Sequence, residues 1–399
     1  MSRSKYRTIK LMFLSSIGTA KYGLVLFGAC MIGVVSADNT ITPDAKQGLG
    51  KRLFLDPNLS LNRTQSCATC HVPAAGFVDS RDNGVDRAVS LGDDGHSLGD
   101  RHAPTISYAM FSPPFHQMAD GNYRGGQFYD GRATDLATQA GQPPIHAGEM
   151  GMSSKAAVVT RIQENDAYVA AFKQLYGNDI FADPESAYAA MANSIAAFER
   201  TEALASFDSR YDRFLRGEYQ LTAQEELGRT LFFSQQFTNC NLCHQLHSSA
   251  RAARETFSSY EYHNIGVPMN QKVRAVNGMA TDYIDIGLLS NPQVADPKQA
   301  GKFKVSTLRN VAVTAPYMHN GIFRDLRTVV LFYNKYNSRS QARHINPETG
   351  QLWQIPEVVD NLSLEELETG PALDDRRIDA LVAFMQALTD QRYEHLLTN

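Results

Sequence analysis

Tryptophan is nearly missing from this chain, cysteine is scarce, and there is neither an excess of basic residues nor a long apolar run. Five cysteines occur in 399 residues, and four of them fall in two short motifs, so no disulfide-stapled scaffold can be built from what is left. The formal charge is −4; five of the 38 basic residues and none of the 42 acidic ones lie in positions 1–37, so the remainder is more acidic still. That balance argues against nucleic acid as a partner. No apolar stretch reaches the roughly 20 residues needed to span a bilayer. No extended period-2 alternation signals a strand, which leaves a mainly α chain with much irregular structure.

What the chain does have is Cys-x-x-Cys-His, twice: Cys67, Cys70 and His71, then Cys240, Cys243 and His244. In c-type haem attachment the two thiols add to the haem vinyl groups and the adjacent histidine becomes the proximal iron ligand. Zinc sites and thioredoxin-like redox pairs also use Cys-x-x-Cys, but neither explains a histidine directly after both copies. Two covalently bound c-type haems are therefore expected, held by Cys67, Cys70, Cys240 and Cys243, with His71 and His244 on the irons.

The compartment follows from residues 1–37. Arg3, Lys5, Arg7 and Lys10 form a basic start, residues 23–35 are apolar, and Val35-Ser36-Ala37 is a small-residue cleavage site, the pattern of a secretory signal. Competing readings leave the segment as an uncleaved anchor or lipidate Cys30. Either way the protein is expected to be exported, to the periplasm or outer surface of a Gram-negative bacterium.

Gly50-Lys51-Arg52-Leu53-Phe54 precedes the first motif and Gly228-Arg229-Thr230-Leu231-Phe232 the second. The repeated frame suggests two cytochrome c-like domains, residues 38–205 and 206–399, with the boundary in 206–219. Asp183-Pro184-Glu185 reads as an N-cap with proline in the first turn of a helix running to Ala205. Helices are also expected over 222–233 and 375–388, the latter with Ile378, Leu381, Val382, Met385 and Leu388 on one apolar face.

Phe128-Tyr129-Asp130-Gly131-Arg132, then Gln139, Pro143 and Glu149, then Ala196-Ala197-Phe198-Glu199-Arg200-Thr201, Thr307-Leu308-Arg309-Asn310-Val311 and Ala315-Pro316-Tyr317-Met318-His319-Asn320-Gly321 together resemble the bacterial di-haem cytochrome c peroxidase and MauG superfamily. The resemblance implies a peroxide-reactive first haem on His71, with Gln139, Pro143 and Glu149 on its distal side. It implies Tyr129 between the haems, Arg309 among the cofactor-binding residues, and a second haem that relays electrons. Glu149 suits the general acid/base role, since splitting hydrogen peroxide needs a proton moved between its two oxygens. Gln139 and Glu149 also argue against a pure electron-transfer cytochrome, which needs no distal acid.

The resemblance discriminates most sharply at the second haem. Ordinary peroxidases carry a methionine 14 positions beyond the histidine of Ala-Pro-Tyr-x-His; counted from His319, that position is Tyr333, and MauG also has tyrosine there. Phenolate favours oxidised iron, so a His244/Tyr333 haem should resist reduction. The implied activity is a MauG-like oxidase that uses hydrogen peroxide, through a high-valent iron state, to oxidise a Trp or Tyr of a secreted partner protein. The alternative is a cytochrome c peroxidase drawing electrons from a small cytochrome or cupredoxin. Within the MauG-like group the chain also resembles methanotroph surface proteins linked with copper handling.

Four positions depart from the superfamily pattern. Tyr129 stands where tryptophan is usual. An inter-haem calcium ion, implied with backbone oxygens near Thr314 and Pro316, meets His102 instead of asparagine, and imidazole suits a hard cation poorly. Asp93 or Asp94 stands near where resting peroxidases place a blocking histidine, leaving His96 in a surface loop and the first haem open. Thr238 stands where MauG presents a surface tryptophan, while the only tryptophan, Trp353, lies in the long segment 334–374, either as a packing anchor or as part of a hole-transfer surface. Intact mass of the exported protein should show two haems on a chain beginning near Asp38; one haem or none removes the basis of this assignment.

Overall fold

The computed structural model describes residues 43–280 and 282–397, so the signal segment, Cys30 and the expected cleavage point lie outside the described residues. Among the described residues no helix is long and apolar enough to cross a membrane. The fold is mainly helical, with two lobes in contact. Among the described residues, strands are confined to three two-stranded antiparallel pairs, each strand two residues long. Loops carry the rest.

Two hydrophobic clusters organise the chain. One gathers Leu49, Leu53 and Phe54 with Met191, Ile195 and Phe198. The other gathers Leu231 and Phe232 with Ile378, Leu381, Phe384 and Leu388. Each is built on the same crossing: the Pro43–Phe54 helix packs on Pro184–Glu199, and the Ala223–Phe232 helix on Asp375–Gln386. The glycine of the repeated sequence frame marks the point of closest approach. A Cβ on Gly50 would sit 1.8 Å from the Ser194 carbonyl oxygen, and one on Gly228 would sit 1.8 Å from that of Ala380. Glycine is required there because backbone meets backbone. The repeated sequence frame is thus a helix-crossing motif.

Asp183 caps its helix by accepting from Glu185 N and Ser186 N, and Thr222 and Asp374 cap theirs in the same way. The first helix stops earlier than expected. It ends at Glu199; Thr201 turns extended, and a short turn over Glu202–Leu204 lets the Leu204 carbonyl accept from Tyr108 N at 2.9 Å. A tertiary hydrogen bond outweighs helix propensity at that point. Ile378, Leu381, Met385 and Leu388 are buried as their spacing predicts.

The segment 206–219 contains a short helix, Arg210–Leu215, rather than an open linker. Its Asp212 meets Arg309 across 97 positions of chain in a fully buried ion pair. Asp390 accepts from the Tyr108 hydroxyl and from Asn310 Nδ2, joining chain parts far apart in sequence. Gly228→Ala should lower stability by about 2–3 kcal/mol, because the added methyl has only a carbonyl to displace. Thermal unfolding measures this, and an unchanged Tm would mean the crossing can slide.

Candidate functional site

Both Cys-x-x-Cys-His motifs fold as the same device. Cys67–Cys70 and Cys240–Cys243 are single helical turns, closed by His71 N on Cys67 O at 2.9 Å and His244 N on Cys240 O at 2.8 Å. One turn places residues three apart on the same face, so each motif presents both sulfurs together. All four cysteines are free and partly buried. Burial pushes the thiols of Cys67 and Cys240 up, that of Cys70 to about 11 and that of Cys243 to about 12. Without a cation beside them they stay neutral thiols. Among the described residues no three His, Cys, Asp or Glu side chains cluster to hold a metal ion.

The two imidazoles are fixed identically. His71 Nδ1 lies 3.2 Å from the Phe77 carbonyl oxygen, and His244 Nδ1 lies 3.2 Å from that of Phe257. A carbonyl only accepts, so Nδ1 carries the proton and Nε2 keeps its lone pair free for iron. Burial lowers both histidines, His244 to about 4, which keeps that lone pair available at neutral pH. The donor set therefore fits two c-type haems: paired neutral thiols beside a neutral, oriented imidazole.

Around the second motif lies a cavity of about 380 Å³ whose lining includes Cys240, Cys243, His244 and Tyr333. That volume is in the range of small-molecule and cofactor sites. Tyr333 is carried by the Leu326–Asn334 helix, capped by Asp325. Burial raises its phenol, and the nearby Cys243 and Cys240 raise it further, so it is neutral without a cation beside it. Bound iron would reverse that preference. Met318 and Met385 line the same cavity, as do His102, Tyr129, Thr314, Pro316 and His319.

On the first side, Gln139 sits in the Leu136–Ala140 helix and Pro143 opens the next turn. Met150 N donates to Pro143 O at 3.3 Å, drawing the Glu149 loop back over that turn. Asp93 N donates to Glu149 O at 2.7 Å, while the Asp93 carboxylate accepts from Asn62 N, Ser60 Oγ and Thr64 Oγ1. Asp93 is thus a buried brace linking the first haem loop to Glu149, and His96 lies exposed in a pair with Asp94. Glu149 influences both Cys67 and Cys70. Burial lifts its carboxyl above the usual range, with His146, 3.5 Å away, and Arg132 pulling the other way. Its side chain is still 41 % exposed, so the group stays reachable from solvent.

Between the motifs, Tyr129 is 6.4 Å from the His319 ring, and His319 stacks on Phe303 at 3.5 Å. His319 Nε2 and His102 Nε2 are both buried without a hydrogen-bond partner, and His102 N donates to His319 O at 2.7 Å. His102 Nδ1 faces the Ala88 carbonyl oxygen at 3.2 Å, so its free Nε2 offers a nitrogen lone pair where calcium would need oxygen. This donor set does not fit calcium. Arg309, expected among the cofactor-binding residues, is wholly buried and does not line the cavity. Its guanidinium is taken up by Asp212, Ser209 Oγ and the Glu255 carbonyl, which ties it to the Arg210–Leu215 helix. Sequence reasoning gave no site role to His319 or Lys304. Lys304 donates to Gly126 O on the cavity wall, and burial brings it down to about 7. His319 could have been found as the histidine of the Ala-Pro-Tyr-x-His motif, whereas Lys304 has no motif of its own and is brought to the cavity by topology.

This pairing of haem turns is shared with known proteins. A model of the di-haem cytochrome c peroxidase family matches residues 44–220. Methylamine utilization protein MauG of Paracoccus denitrificans is 54% identical over 354 residues, covering 89% of this chain and 91% of that protein. Cytochrome c peroxidase Ccp of Escherichia coli is 32% identical, covering 70% of this chain and 51% of that protein. Among solved structures, the diheme peroxidase BthA of Burkholderia thailandensis superposes with a TM-score of 0.77 at 30% identity, covering 90% of this chain and 91% of that one. A MauG-like protein associated with microbial copper homeostasis gives 0.63 at 29%, covering 92% and 94%. The chain belongs to the di-haem cytochrome c peroxidase and MauG family. It is a haem-dependent oxidoreductase acting on hydrogen peroxide, and family membership implies covalently bound c-type haems.

Glu149→Gln keeps size and hydrogen bonding but cannot titrate, so stopped-flow reaction with peroxide should slow by about 10²-fold or more. In the native protein the rate should fall as pH drops through a value above the ordinary carboxylate range, because burial raises this group. The variant should lose that dependence; an unchanged rate and profile would return Glu149 to a solvated loop.

Proposed function

We propose that this protein is an exported MauG-like oxidase that uses hydrogen peroxide to oxidise a Trp or Tyr side chain of a secreted partner protein. Two c-type haems, held by His71 and His244, supply the redox chemistry when bound. Glu149 moves a proton between the oxygens of hydrogen peroxide, with Gln139 and Pro143 shaping the space beside it. Residues 38–205 form the peroxide-reactive part and 206–399 the relay, with Tyr129 between them. The observation that carries this reading is Tyr333 in one cavity with Cys240, Cys243 and His244. A phenolate there favours oxidised iron and makes a poor entry port for ordinary cytochrome electrons.

A second reading has its own support. Met318 and Met385 line that cavity too, and a thioether ligand would raise the reduction potential, as a peroxidase fed by a small cytochrome or cupredoxin requires. The two are separated by Tyr333→Phe. On the oxidase reading, electron paramagnetic resonance of the resting ferric protein shows one high-spin and one low-spin haem, and the substitution changes the low-spin signal. Peroxide then yields a long-lived oxidised protein with no prior reduction. An unchanged low-spin signal, with fast turnover on a reduced cytochrome and no covalent change in a co-expressed partner, would establish the peroxidase.

A further inference from the structure

Two positions before the second haem motif stands Thr238, whose side chain cannot carry an electron hole. Thr238 is 7% exposed, and its hydroxyl donates to Leu231 O at 2.6 Å. The chain's only tryptophan lies elsewhere, after the hairpin of Ile345–Asn346 and Gln351–Leu352. Trp353 packs edge to face on Phe323 at 5.6 Å and on Phe332 at 5.5 Å. Phe332 in turn is 6.1 Å from Tyr333, which lines the second haem cavity. Phe332 is wholly buried and Trp353 half-buried, and the chain beside Trp353 exposes Leu352 (68%) and Ile355 (80%). One buried ring therefore separates the cavity-lining tyrosine from an indole at the surface.

We propose that Trp353 is the redox relay through which the second haem cavity draws electrons from an aromatic side chain of a docked protein. The proposal rests on the peroxide-driven reading above and names where the oxidising equivalents leave. Indole can lose an electron while keeping its N–H, and Trp353 Nε1 donates to Arg343 O at 2.8 Å, a carbonyl that steadies positive charge on the ring without taking the proton. The nearby Tyr336 is less suited. Phenol oxidation is coupled to proton loss, and its hydroxyl donates to Ile265 O, which is no base. The Lys335 ammonium lies 3.8 Å from the centre of Phe332 and 5.9 Å from that of Trp353. It opposes positive charge on the indole, so only a strong oxidant can draw on the relay.

In each step the partner's ring gives one electron to oxidised Trp353 and loses a proton to solvent. Trp353 has already passed its own electron across Phe332 toward Tyr333. Two electrons and two protons convert one hydrogen peroxide to two water molecules, which closes the balance.

The test uses the holoprotein with both haems, made with ring-deuterated tryptophan, mixed with hydrogen peroxide and freeze-quenched. An organic radical whose paramagnetic resonance spectrum changes on deuteration can come only from Trp353. Without a donor, the Trp353 peptide should also gain oxygen by mass spectrometry. Lys335→Met, which keeps the indole in place, should raise the radical yield by about 2- to 5-fold, and Trp353→Phe should abolish it. A haem spectrum that responds to peroxide while Trp353 stays unmodified and no deuterium-sensitive radical forms would overturn the relay and leave the oxidase reading standing. A haem spectrum that does not respond would overturn both.

Discussion

The site depends on one repeated hydrogen bond: a backbone carbonyl, from Phe77 in one lobe and Phe257 in the other, holding Nδ1 of the histidine that follows each cysteine pair. Without that carbonyl the imidazole could rotate or change tautomer, and the cysteines would tether a haem whose iron had no fixed axial partner. With it, the ring is neutral and oriented, with Nε2 left for iron. The helical turn, the loop that returns to supply the carbonyl and the covering core all serve this arrangement.

The repeat extends to the scaffold, where Gly50 and Gly228 let a helix approach a partner backbone so closely that no side chain fits. The two copies differ in what is laid over each. One copy has Glu149, pinned by Asp93 and Met150 in a loop that still opens to solvent. The other has a mainly apolar cavity with Tyr333 on its wall. The first arrangement suits a small reactant that must enter and exchange protons. The second suits a group that only exchanges electrons.

Between the two, the structure replaces features that the resemblance implied. His102 supplies a nitrogen where asparagine would supply an oxygen, and His319 is likewise buried with a free Nε2. Burial lowers His102 to about 4 and His319 to about 3, so this region is neutral imidazole instead of cationic. Charge there is carried by Arg101, paired with Asp130 and Asp285. Tyr129 therefore has polarisable neutral neighbours, with an anchored ion-pair network behind them.

The sequence alone determined the cofactor class, because Cys-x-x-Cys-His is local chemistry: sulfurs one turn apart and a histidine next to them need no tertiary information. It also determined the capped helices at Pro184, Ala223 and Asp375, whose signals are local hydrogen bonds and periodicity; the candidate roles of Glu149 and Tyr333 came from the family resemblance. The tertiary structure decided what depends on distant partners. It ended a helix at Glu199 to free a carbonyl for Tyr108, and it buried Arg309 on Asp212 away from the cavity. It also set Trp353 one ring from Tyr333. A side chain's type shows what it can bond to. Only the packed chain shows which of those bonds are already taken.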